Sequence, residues 1–106
     1  MIIKCISKDY YELNKNKEYI GQEELDKEGF IHASTSTTFP NVVKKHFSSP
    51  ETEYIVLLLD EKLIKANVKY EVGDKALNLY PHIYGLLNRS AIINAISLKE
   101  YLIKNP

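Results

Sequence analysis

The sequence predicts a single α+β domain with a bent, mainly antiparallel sheet and flanking helices. Strand-like apolar segments outnumber the helical ones, and they do not alternate with helices as a doubly wound parallel sheet requires. A chain of 106 residues supplies one hydrophobic core and is too short for two, so residues 1–106 are read as one domain. Hydrophobic residues make up 44% of the chain and charged residues 26%, an ordinary globular balance.

Ile2 to Ile6 reads as the first strand. Ser7 then caps a short helix through about Leu13, with Asp9 placed favourably in its first turn. Asn14-Lys15-Asn16-Lys17 is a polar connection, and Gly21 opens a loop. Gln22 to Lys27 forms a short helical turn that Gly29 ends. Phe30 to Ser34 is the second strand. The helix that follows is the best marked in the chain. Thr38 is its expected N-cap, Pro40 falls in the first turn, and Phe39, Val42, Val43, His46 and Phe47 recur at amphipathic helical spacing. Ser48-Ser49-Pro50 stops it.

Tyr54 to Asp60 is nearly all apolar, as expected of a central strand covered on both faces. Val68 to Val72 alternates and reads as a half-exposed strand, with Gly73-Asp74 as a turn. Leu79 to Tyr84 is another strand, where Pro81 calls for an edge, a bulge or a strand start. Ala91 to Ser97 completes the strands. Ser97-Leu98-Lys99-Glu100 matches a capping box and opens a C-terminal helix.

Several functional classes fall away on composition. Lys+Arg and Asp+Glu number 14 each, so there is no basic footprint for duplex nucleic acid. The longest apolar run, Ile55 to Leu59, is far short of the roughly 20 residues of a membrane span. The first residues lack the pattern of a signal peptide, and the lone Cys5 has no internal disulfide partner. A cytoplasmic protein is expected. Cys5 alternates with Ile3 in an apolar strand and reads as a small buried hydrophobe rather than a nucleophile.

The chemistry is concentrated in Gly29-Phe30-Ile31-His32-Ala33-Ser34-Thr35 and Tyr80-Pro81-His82-Ile83-Tyr84-Gly85. Side chains alternate faces along a strand, so Phe30, His32 and Ser34 share one face, as do Tyr80, His82 and Tyr84. Histidine is the side chain best suited to proton transfer or ligand polarisation near neutral pH. Ser34 to Thr38 are five consecutive hydroxyl residues before a helix start, a pattern that serves either an anion site or a helix cap and turn. His82 between two phenols suits either a ligand ring or a buried structural histidine. His46 lies on the apolar stripe and is expected to pack. Glu71 shares a face with Lys69, which points to a surface ion pair. There is no P-loop, G-x-G-x-x-G, H-E-x-x-H or zinc-spaced Cys/His cluster.

The order of these segments, GFIHAST, a helix, an apolar strand ending at Asp60, Tyr70-Glu71 and YPHIYG, resembles the bacterial family known as domain of unknown function 952 along most of residues 1–98. The resemblance carries Tyr in place of the usual Phe at Tyr80, Tyr-Glu in place of Trp-Glu at Tyr70-Glu71, and no early Trp. It implies a fold similar to the ADP-ribosyltransferase superfamily. By that analogy His32 and Ser34 would hydrogen-bond a ribose or amide, Tyr84 would stack on a ring, His82 would act as donor or general acid, and Glu71 would take the glutamate role of ADP-ribosyl transfer. The expected site is therefore His32, Ser34, Thr35, Tyr80, His82 and Tyr84 around a small-molecule ligand, NAD or another nucleotide, with His32, His82 and Glu71 as candidates for catalysis. Three readings stay open: a transferase acting on ADP-ribosyl or phosphoryl-ribose groups, a non-catalytic binding module, and a metal-dependent hydrolase using His32, His82 and Glu71.

Overall fold

A computed structural model describes residues 1–73 and 78–106. Strand β1 (Ile2–Ser7) runs directly into helix α1 (Lys8–Asn14), whose first turn is closed by the Ser7 hydroxyl accepting from the Tyr10 N–H. A two-residue strand β2 (Tyr19–Ile20) leads to helix α2 (Gln22–Glu28), flanked by Gly21 and Gly29 at φ 103° and 86°. Strand β3 (Ile31–His32) and helix α3 (Phe39–His46) follow, then strand β4 (Tyr54–Leu59). The second half holds strands β5 (Asn67–Val72), β6 (Leu79–Tyr84), β7 (Leu87–Asn88) and β8 (Ile92–Ser97) and helix α4 (Leu98–Lys104). The Ser97 hydroxyl accepts from the Glu100 N–H and starts that last helix as the capping box predicts. Of the expected turn at Gly73-Asp74, Asp74 lies outside the described residues.

The strands form two three-stranded antiparallel sheets, β1-β4-β8 and β3-β6-β5, and a two-stranded ribbon, β2-β7. A bridge between Ile3 and Ser34, with both backbone hydrogen bonds at 2.8 Å, stitches the first sheet to the second just beyond β3. As its apolar run requires, β4 is central and buried on both faces. Leu57 and Leu59 pack with Ile2, Ile20, Ile31 and Ile83 between the two sheets. Val56 packs with Ile3, Cys5, Phe39, Leu98 and Tyr101 beneath α3 and α4. Burial pushes the Cys5 thiol up to about 12, which leaves it uncharged and unreactive.

Three local expectations change. Strand β3 is two residues long instead of the expected Phe30 to Ser34. Pro81, expected at an edge, a bulge or a strand start, lies inside the central strand β6. Both differences have one cause. The Pro81 carbonyl accepts from the Ala33 N–H at 3.2 Å, so its backbone polar groups face β3. Proline has no N–H to return the second bond of that pair, and the β3–β6 ladder ends at His32. On its other side Pro81 sits opposite Tyr70, where β5 asks nothing of its nitrogen. His46, expected to pack, is exposed at the C-terminal end of α3. The buried stripe of that helix is carried by Phe39, with Val42, Val43 and Phe47 partly buried beside it.

Candidate functional site

His32 and His82 are direct cross-strand partners on β3 and β6, so the register of one short ladder sets their spacing. Their ring centroids lie 5.6 Å apart, edge to face. Phe30, two residues before His32 and on the same face, stacks on His82 at 4.1 Å with an interplanar angle of 21°. It also touches His32 at 4.7 Å and Tyr84 at 5.4 Å. Gly29 places it there: the left-handed backbone at Gly29 ends α2 and turns the chain into β3.

Each imidazole is held through Nδ1 by a carboxylate. Nδ1 of His32 lies 2.7 Å from Glu24 Oε2, and the backbone N–H of His32 donates to the same oxygen at 2.7 Å. The other oxygen of Glu24 receives the Lys4 ammonium at 2.7 Å, which also donates to the His32 carbonyl. Burial alone would raise the Glu24 pKa, but hydrogen bonds from His32 and the charge of Lys4 outweigh it and hold the carboxyl at about 2. Nδ1 of His82 lies 2.8 Å from Glu71 Oε1, and the Tyr84 hydroxyl donates to that oxygen at 2.5 Å. These hydrogen bonds, that of Tyr84 foremost, lower the Glu71 pKa, while the same bond raises that of Tyr84. Because an ionised carboxylate only accepts, Nδ1 carries the proton in both rings. Each Nε2 is then the nitrogen that remains for a ligand or a proton.

The two environments differ. The His32 side chain is 53% exposed and that of His82 only 11%. Both line one open groove of about 850 Å³ that also meets Phe30, Ser34 and Tyr80. Helix α3 also lines it, through Asn41, Val42, Lys45 and His46. All three histidines of the chain therefore border the same groove. Tyr84 and Glu71, bonded to each other beside His82, are not among the groove-lining residues. Glu71 is taken up by His82 and Tyr84, while the Lys69 ammonium lies 5.1 Å over the Tyr84 ring.

The hydroxyl run behaves as a turn. Thr38 Oγ1 accepts from the Thr35 N–H at 3.0 Å and sits 3.1 Å from the Thr35 hydroxyl, while the Thr38 N–H donates to Thr35 Oγ1. Thr38 adopts helical φ/ψ and makes no side-chain cap to α3. Thr35 thus spends its polar groups locally. Ser34 is buried and reaches the groove floor.

Sequence reasoning missed Glu24, Lys4, Lys45 and the placement of His46. One signal was present for the first pair: Lys4 interrupts the apolar run Ile2 to Ile6, and a half-buried lysine calls for a carboxylate. Among the described residues, no three His, Cys, Asp or Glu side chains gather around a point that could hold a metal ion.

The family described as protein of unknown function (DUF952) matches residues 5–95, and the chain belongs to it. No curated protein matches the chain. Among solved structures, two crystal structures of protein CC0527 from Caulobacter crescentus, one of them a double mutant, superpose with a TM-score of 0.76 at 20% identity. Each match covers 91% of this chain and 83% of the other, a likeness that concerns the fold alone.

Proposed function

We propose that this member of the domain of unknown function 952 family binds a nucleotide or NAD-like small molecule in the groove, with His32 and His82 contacting the ligand. The observation that carries the reading is the pair itself. Two imidazoles with ring centroids 5.6 Å apart, each anchored at Nδ1 by its own carboxylate, border one groove. Such an imidazole has one tautomer and one orientation, with Nε2 set to accept from a ribose hydroxyl or an amide N–H or to take up its proton. Phe30 and Tyr80 supply aromatic surface beside the histidines, suited to a ring of the ligand.

Transfer of an ADP-ribosyl or phosphoryl-ribose group is the chemistry that this arrangement and the resemblance to the ADP-ribosyltransferase fold support. Glu71 then serves as the positioning residue of His82 and not as the carboxylate that meets the substrate. A metal-dependent hydrolase is less well supported. Metal-bound histidines are also held by carboxylates, but Glu71 is engaged by His82 and Tyr84 and so is not placed to complete a three-ligand set.

Thermal-shift titration with NAD, ADP-ribose, ADP and zinc chloride tests the reading. Saturation at 100 times the dissociation constant stabilises a fold by about 2.7 kcal/mol. A nucleotide is expected to raise the melting point of the wild type and not of His32→Ala, whose exposed side chain is removable without unfolding. A shift with zinc alone would move the assignment to the hydrolase reading, and nucleotide binding without turnover to the binding-module reading. No shift with any nucleotide would contradict the proposal.

A further inference from the structure

The groove has two chemically distinct walls. On the β3–β6 side the polar side chains engage one another, Lys4 with Glu24 and Glu71 with the His82 ring and the Tyr84 hydroxyl, and Glu28 at the end of α2 adds a carboxylate to the rim. On the α3 side Lys45 and His46 are exposed, border the groove and have no ion-pair or hydrogen-bond partner among the described residues. They are adjacent in the last turn of α3, where the carbonyl end of the helix favours positive charge. Asn41 lies one turn before Lys45 and borders the same groove, which adds a neutral donor. The start of α3, by contrast, has its Thr35 and Thr38 groups bonded to each other.

We infer that Lys45 and His46 form a phosphate-binding wall, so that the ligand of the groove is a phosphorylated nucleotide rather than a nucleoside. This rests on the proposed nucleotide reading and adds a direction to it. The ribose or amide end of the ligand lies against His32 and His82, and its phosphate or diphosphate spans the groove to α3. A lysine acts on phosphate as a mobile point charge with three donors, and a charge-assisted bond to an anion is stronger than a neutral one.

The test is isothermal titration with ADP and adenosine against the wild type, Lys45→Ala, His46→Ala and the double variant, with each melting point recorded. One charge-assisted hydrogen bond corresponds to about tenfold or more in affinity. ADP is therefore expected to bind the wild type at least about tenfold more tightly than adenosine. The double variant should bind ADP only as well as adenosine, with the adenosine affinity and the melting point unchanged. Equal affinities for ADP and adenosine in the wild type, or an ADP preference that survives the double substitution, would overturn the phosphate wall and leave the nucleotide reading standing. Failure of both ligands to bind would overturn the two together.

Discussion

One oxygen of Glu24 accepts both from the backbone N–H and from ring Nδ1 of His32, each at 2.7 Å. Two bonds from one residue to one atom fix the rotamer of an imidazole that is otherwise half in solvent. They also tie α2 to β3, with Lys4 bringing β1 into the same network. Glu24 accordingly has a structural and a site-forming role at once.

The first prediction follows from its charge. The Glu24 pKa is lowered from an ordinary 4.5 to about 2, so its ionised form is favoured by folding. That contribution is fully present above pH 4.5 and is lost as the pH falls toward 2. Glu24→Gln should be less stable than the wild type by about 1–2 kcal/mol at pH 7. The gap should narrow progressively between these two values. Urea unfolding across that range measures it, and a gap independent of pH would show that the carboxylate charge is not what holds the network.

Glu71 is expected to set the tautomer of His82. In the wild type the Nδ1–H, Nε2-acceptor form should dominate, and Glu71→Gln should release a mixture because an amide both donates and accepts. Tyr84→Phe should leave the tautomer in place, since the carboxylate remains. Nitrogen-15 NMR of the neutral ring reads both outcomes.

Gly21 and Gly29 both adopt positive φ, yet their surroundings differ. A methyl group at Gly21 would strike the buried Ile31 side chain, whereas one at Gly29 meets nothing within 4 Å. Gly29→Ala should cost about 1–2 kcal/mol from backbone strain alone. Gly21→Ala should cost more by the added clash in the core. Equal losses in chemical denaturation would mean that Ile31 moves aside freely.

The burial pattern separates core from wall. Leu57, fully buried in the central strand, should lose about 2–5 kcal/mol on replacement by Ala. Replacement of exposed His46 by Ala should change stability by less than about 0.5 kcal/mol. A loss of several kcal/mol at His46 would restore it to the packing role that its sequence spacing suggests.

The long elements were legible because each carries its own signal. Ser7 and Ser97 cap their helices, and the run from Tyr54 to Leu59 is apolar without a break, as only a doubly covered strand allows. Strands β2 and β7 were not legible, since two residues are too few to show any period. His46 was misread for a related reason. Residues at i+7 and i+8 from Phe39 both fit an apolar stripe, and only the packing of Phe47 against Tyr54 at 5.2 Å decides which one turns inward. The face-sharing of Phe30 with His32 and of His82 with Tyr84 followed from strand alternation. The meeting of the two histidines depends on the β3–β6 register, and that register is set by tertiary pairing. Glu24 was hidden for the same cause, because its partner is eight residues away across a helix end.

The central claim is that His32 and His82 serve one ligand. Nitrogen-15 NMR of the imidazoles during titration with ADP-ribose tests it most directly. Both Nε2 resonances should move together, saturably and with a single dissociation constant, while each Nδ1 keeps the proton shared with its carboxylate. Saturable binding that leaves the two Nε2 signals in place, or that moves only one of them, would contradict a shared site.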